Sequence, residues 1–121
     1  MTWLADLRLP AATSSLRTIR LLVGSVGSTV ELAVDELEGL QMGAAECAAL
    51  LMDGVADGAV LTLEVHGHDE AVEVRGSVET DHAAVEIDEL ALLVLRGTVD
   101  EHELHPGPGR RSFSVRKQRR G

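Results

Sequence analysis

A chain of 121 residues, 45% of them hydrophobic, is long enough to bury one real core and too short for two ordinary domains. Twenty acidic against 11 basic residues leave a net charge of −9, which argues against a general nucleic-acid binder, and the single Cys47 excludes an internal disulfide. No apolar run approaches the roughly 18 residues a membrane-crossing helix needs, so the expectation is a soluble, cytoplasmic protein with no membrane partner.

In chain order, TWLADLRLP (2–10) alternates apolar and polar residues up to a proline and predicts a strand. TSSLRTIRLLVGSV (13–26) follows as a helix, with Thr13 or Ser14 as N-cap, Leu16, Ile19, Leu22/Val23 and Val26 at helical spacing, and Gly27 and Ser28 as its stop. A second helix starts near DELEGL, where Asp35 and Glu38 resemble a capping box. Its core face is Leu37, Leu40, Ala44, Ala48 and Leu51, with Gly54 as C-cap. Gly39 and Gly43 inside it each cost about 1 kcal/mol relative to alanine, which suggests that a backbone or ligand comes close there.

AVLTLEVHGHDEAVEVRGSV (59–78) predicts a hairpin turning at HGHDE, and ETDHAAVE (79–86) a loop. IDELALLVLRG (87–97) predicts a short helix, apolar around most of its circumference, either packed on both sides or meeting another chain. TVDEHEL (98–104) and SFSVRK (112–117) close a last hairpin around HPGPGRR. The order β-α-α-β-β-α-β-β implies an α+β two-layer sandwich, a mixed, mostly antiparallel sheet covered on one face by about three helices. Residues 1–117 form a single domain in this reading, and 118–121 a basic tail.

Charge is unevenly spread. Residues 1–109 hold five basic and all 20 acidic residues, a balance of −15, and six basic residues follow from Arg110 onward. The acidic body suits a basic partner surface, and the tail reads as a solvated terminus that partly neutralises its own domain. Cys47, in an apolar helical run, reads as a small buried side chain. His66, His68 and Asp69 share a turn, and His102 and His105 flank the last one. An H-x-H pair alone has too few ligands for a metal site, and no metal is expected. PGPG lacks the lysine and helix of a phosphate loop.

The element order and the segment VDELEGLQMGAAECAALLMDG (34–54) resemble the RsbW-like anti-sigma factors, bacterial serine/threonine kinase-like members of the gyrase B–histidine kinase–MutL (Bergerat-fold) ATPase superfamily. The opening LRLPA…LRTIRLLVGSV and the closing VDEHELHPGPGRRSFSVRK are similar to that family's first strand and helix and its last hairpin. The resemblance implies a histidine-kinase-like ATPase fold, here with a truncated lid. It matches Glu46 to the family's general base. Leu50, four positions on, stands where an asparagine would hold Mg²⁺, a hard ion that needs oxygen ligands. Arg75 stands where an acid would accept from adenine, and it offers no acceptor. The stretch ETDHAAVEIDEL lacks the glycines of a phosphate lid. No catalytic, cofactor-binding or metal residue is therefore assigned, and no cofactor is expected.

These residues favour a non-catalytic, anti-sigma-factor-like regulator that binds a sigma factor or an anti-anti-sigma protein, and the resemblance implies a homodimer. One competing reading is an active Ser/Thr kinase that uses Mg-ATP to phosphorylate an anti-anti-sigma protein. Another is a non-catalytic adaptor unrelated to sigma factors. If the nucleotide site is lost, the 87–95 helix should lie over the vacated cleft with Leu90 or Leu93 against the Glu46–Leu50 face, because an empty apolar hole costs stability.

Overall fold

The computed structural model describes residues 3–120. Five strands form one sheet in the order β1-β2-β3-β5-β4: β1 Trp3–Pro10, β2 Val60–Gly67, β3 Ala71–Glu79, β4 Glu101–His105 and β5 Arg110–Gln118. Every neighbouring pair is antiparallel, so the sheet is not mixed. Three α-helices, α1 Leu16–Thr29, α2 Val34–Met52 and α3 Glu89–Thr98, complete the predicted α+β order.

Strand alternation decides which side is covered. Leu61, Leu63 and Val65 of β2, Val72, Val74 and Val78 of β3, and Phe113 and Val115 of β5 are buried together. They meet Ile19, Val23 and Val26 of α1 and Leu40, Ala44, Cys47, Ala48 and Leu51 of α2. The intervening residues, among them Thr62, Glu64, Glu73, Arg75, Ser77, Ser112 and Ser114, line the open face. With almost no aromatic residues, the core is a set of aliphatic side chains around one ring. Gly76 makes room for that ring, since a Cβ there would lie 2.3 Å from Cε1 of Phe113, its cross-strand partner.

The helix ends differ from the sequence signals. Helix α1 is entered through a 3-10 turn, Thr13–Ser15, with no side-chain cap; the Ser15 hydroxyl instead donates to the Pro10 carbonyl at 2.7 Å. The helix runs past Gly27 and Ser28 to Thr29. It stops in a left-handed residue, Glu31 (φ 65°), with Leu32 N–H donating to Gly27 O and Glu31 N–H to Ser28 O. That is the helix-ending pattern usually built on glycine. Gly27 is spent on packing instead: a Cβ would sit 2.3 Å from Leu37 Cδ1 of α2.

Helix α2 is capped by Glu36 rather than by the Asp35–Glu38 pair. Glu36 Oε1 accepts from the Ala33 N–H at 2.7 Å, while Ala33 has no side-chain acceptor to complete the reciprocal bond. Leu40, Ala44, Ala48 and Leu51 are buried as the spacing predicted, with Leu37 partly so. Gly54 ends the helix at φ 70°.

Gly39 and Gly43 face α3. A Cβ on Gly39 would lie 2.5 Å from the Thr98 carbonyl oxygen, and one on Gly43 2.7 Å from Val99 Cγ1. The close backbone approach expected there is thus made by the end of α3. That helix occupies Thr98, so β4 begins at Glu101 and not at Thr98. Asp88 caps its start, accepting from the Ala91 N–H at 2.7 Å.

The C-terminal segment is fastened rather than merely solvated. Strand β5 runs on to Gln118, past the expected boundary at residue 117. The Arg120 N–H donates to Glu36 Oε2 at 2.8 Å, and the Arg120 guanidinium lies 3.1 Å from Asp100. Arg119 pairs with Glu31 at 3.4 Å. Burial opposes ionisation of Asp100, but the Gln118 N–H, Lys117 and Arg120 together hold its pKa below the usual carboxylate range.

Candidate functional site

The residues singled out from the sequence divide between two faces. Glu46 and Leu50 lie on α2 and are half-exposed, beside the exposed Met42 and Ala49. Glu46 makes no hydrogen bond or ion pair with any described residue and lines none of the five main cavities among them, so nothing holds it as a poised base. Arg75 lies on the open face of the sheet, pairing with Glu73. Burial opposes ionisation of Glu73; its bonds from Arg75 and the Ser114 hydroxyl nevertheless hold its pKa below the ordinary range. The structure therefore places Arg75 on the opposite side of the sheet from Glu46 and Leu50. Strand parity carries this information: Val72, Val74 and Val78 point inward, so residue 75 points outward.

The space next to Leu50 is filled. Leu50, Leu51, Val85, Ile87, Leu104, His105, Pro106 and Ser112 enclose a cavity of only about 10 Å³. Small-molecule sites usually measure roughly 300–1,000 Å³. The filling comes from the loop before α3, through Val85 and Ile87. It does not come from Leu90 and Leu93, which are 70% and 61% exposed, contrary to expectation. Helix α3 instead turns Ala91 and Leu95 inward. Because it is apolar on nearly every side, its sequence periodicity could not tell which leucines pack.

Beside that cavity lies a group the sequence did not mark. Arg111 is buried, 3% exposed, with its guanidinium between the end of α2 and the 80–88 loop. Nη1 donates to the carbonyls of Leu51 (3.0 Å) and Asp53 (2.7 Å), and Nη2 to that of Ala83 (3.1 Å). No carboxylate pairs with it among the described residues, and its Nε has no partner. The negative end of the α2 dipole and two carbonyls left free at the helix terminus supply the compensation. A cation belonging to the chain itself thus joins the end of α2 to the loop before α3.

Cys47 is fully buried, and burial, assisted by the neighbouring Glu46 carboxylate, pushes its thiol up to about 12. The thiol should not react with a disulfide reagent at pH 8 until the protein unfolds. Rapid labelling of the folded protein would contradict this placement. Because burial raises the folded thiol well above its ordinary range, the fold should lose stability as pH rises from about 9, where only the unfolded thiol ionises.

His66 lies in β2, 3.6 Å from Glu64, and His68 falls after the strand, so the two do not share a strand face. His105 lies 3.7 Å from Glu103 on the exposed edge strand. Among the described residues no group of three or more His, Cys, Asp or Glu side chains gathers as a metal site.

The chain matches no protein-family profile and no curated protein sequence. Among solved structures it is similar to the RsbU and RsbW domains of Rv1364c from Mycobacterium tuberculosis, with a TM-score of 0.65 and 18% identity. That alignment covers 97% of this chain and 33% of the solved one, so the chain spans about a third of that structure's length. The likeness is one of fold. It extends over nearly all of the α+β sandwich. No described helix is long and apolar enough to cross a membrane.

Proposed function

We propose that this chain is a nucleotide-independent regulator of the anti-sigma type, binding a sigma factor or an anti-anti-sigma protein without phosphorylating it. The observation that carries this reading is the filled cleft: Leu50, Val85 and Ile87 leave about 10 Å³, and Arg111 ties the loop to α2 beside it. Leu50 offers no oxygen to a cation, and Arg75 lies on the far face of the sheet. A base at Glu46 would have no nucleotide to work on. The RsbW domain in the similar solved structure supports the choice of partner class, through fold alone.

Charge supports a protein partner over nucleic acid. The basic residues near the C-terminus are largely engaged within the domain, Lys117 and Arg120 with Asp100 and Arg119 with Glu31. The −15 balance before Arg110 leaves the body suited to a basic surface.

Titrating the protein with Mg-ATP while following its thermal unfolding tests the nucleotide half of the reading. A ligand at 100 times its Kd stabilises by about 2.7 kcal/mol, which a domain of this size would register as a rise of several degrees. The expected result is no shift. A reproducible rise with Mg-ATP would overturn it and favour the kinase. Failure of the protein to hold any sigma or anti-anti-sigma protein of its own host would overturn the regulatory half.

A further inference from the structure

We propose that the exposed strip of α3 formed by Leu90, Leu93 and Gly97 is a docking surface for a helix of a protein partner, one whose apolar seam is bordered by basic side chains. This rests on the reading of the chain as a regulator that binds a protein, and specifies the surface and the partner's form rather than its identity.

Helix α3 buries one side only. Ala91 and Leu95 turn inward, and Thr98 and Val99 meet Gly39 and Gly43 of α2. On the outer side Leu90 and Leu93 are 70% and 61% exposed, and Val94 beside them is half-buried. Nothing among the described residues covers the outer pair. Single exposed leucines are ordinary on a surface, but here two stand together on one strip of a ten-residue helix.

Spacing says what shape would cover the strip. Leu90, Leu93 and Gly97 stand at i, i+3 and i+7, the spacing of a seam that meets another helix. Gly97 extends the strip by a turn without a side chain. A Cβ there would meet nothing within 4 Å, so no neighbour within the chain requires the glycine. It leaves room for an incoming backbone, because the distance between packed helices is set by the side chains at their contact. The platform is firm. Asp88 caps the start of α3, and the close contact of Thr98 with Gly39 fixes its end, so a partner would meet a preformed surface.

Charge says which helix would fit. Residues 79–89 hold five acidic residues and no lysine or arginine. Glu86 and Glu89, at the start of α3, are exposed and pair with no cation among the described residues. Glu89 stands four positions before Leu93, on the border of the strip. These carboxylates repel an anionic lipid surface and suit lysines or arginines beside a partner's apolar seam. Arg96, three positions after Leu93, sets the polarity, so the partner's basic end belongs at the start of α3.

Fluorescence anisotropy of the full chain with a designed, labelled peptide tests this. The peptide spans about three heptads, with leucine at its seam positions and lysine beside them. It should bind, and Leu90→Gln and Leu93→Gln should each raise its dissociation constant tenfold or more. Both leucines are exposed, so circular dichroism and thermal unfolding should confirm that the variants remain folded. Gly97→Gln should weaken binding as much in a protein at least as stable as the native one, since the new side chain meets nothing in the fold. Leu21→Gln, at a leucine of α1 that is 64% exposed, should leave binding unchanged. A peptide with glutamate in place of lysine should bind at least tenfold more weakly. Because the probe is neither a sigma factor nor an anti-anti-sigma protein, the surface can fail while the regulatory reading stands, and the reverse. No binding of the lysine peptide, equal binding of the glutamate peptide, or binding that Leu21→Gln weakens as much as Leu93→Gln would each overturn the proposal. So would light scattering that shows a native dimer dissociated by Leu93→Gln, since a second copy would then be the occupant.

Discussion

Arg111→Met should lower the free energy of unfolding by about 3 kcal/mol, and the melting temperature by about 10 °C. Two effects oppose each other. Removing a buried guanidinium relieves a desolvation cost of several kcal/mol, which alone would favour the variant. It also leaves the carbonyls of Leu51, Asp53 and Ala83 without their donor in a place that water reaches poorly. Each buried acceptor left unsatisfied costs about 1–3 kcal/mol, so three of them outweigh the relief. The loop should also loosen, because Arg111 is what fastens Ala83 to α2. Hydrogen exchange should quicken in residues 80–88 more than in the β2–β3 hairpin. Arg111→Lys should fall between, since one ammonium cannot span the same three carbonyls as a planar fork. A melting temperature within about 2 °C of the native protein would show that the guanidinium is not the fastening it is taken to be.

Gly39→Ala should also destabilise, by about 1–2 kcal/mol, against the usual trend for glycine in a helix. Alanine gains about 1 kcal/mol from helix propensity. The new Cβ, however, would lie 2.5 Å from the Thr98 carbonyl oxygen. That oxygen is backbone, so relief requires moving the end of α3, and overpacking of this kind costs about 1–3 kcal/mol or more. Gly39→Val should be worse, and exchange at Leu95 should speed up as α3 lifts. Gly97 provides the control, because a Cβ there meets nothing within 4 Å. Gly97→Ala should stabilise by up to about 1 kcal/mol. Chemical denaturation of the three variants settles the sign, and a Gly39→Ala protein at least as stable as the native one would refute the close packing.

The order of elements was legible because each has its own period. Alternation marked the strands, and the 3.6-residue spacing of Leu37, Leu40, Ala44, Ala48 and Leu51 marked one face of α2. What stayed hidden had signals that local patterns misdirect. Asp35 and Glu38 match a capping box, yet Glu36 reaches back to Ala33 and is held on its other side by Arg120, which no local window contains. Gly27 looked like a helix stop because its role is clearance for Leu37 of the next helix. In the candidate site, a filled space beside Leu50 could be expected from the sequence, but through Leu90 or Leu93; Val85 and Ile87 of the loop fill it instead. Arg111 could not be expected there, because an arginine after a Pro-Gly turn ordinarily lies in water, and only the tertiary structure brings three carbonyls to it. The face of Arg75 was legible from parity, since the apolar positions of its strand, Val72, Val74 and Val78, all have the opposite parity.

The antiparallel sheet also constrains the order in which the molecule assembles. Strands β2 and β3 meet across a short turn, Gly67 to Ala71, and β4 and β5 across His105 to Arg110. Strand β1 finds β2 only after the chain has run from Pro10 through two helices to Val60. Closing the longer span costs about 2 kcal/mol more in chain entropy than closing the β2–β3 turn. The hairpins can therefore zip early, while β1 joins late and should be the first strand to peel away. When it leaves, β2 becomes the sheet's edge and can accept β1 from another molecule. The strand with the open outer edge is thus also the one best placed to be traded between copies, giving slow exchange at high concentration and an intertwined form after partial denaturation.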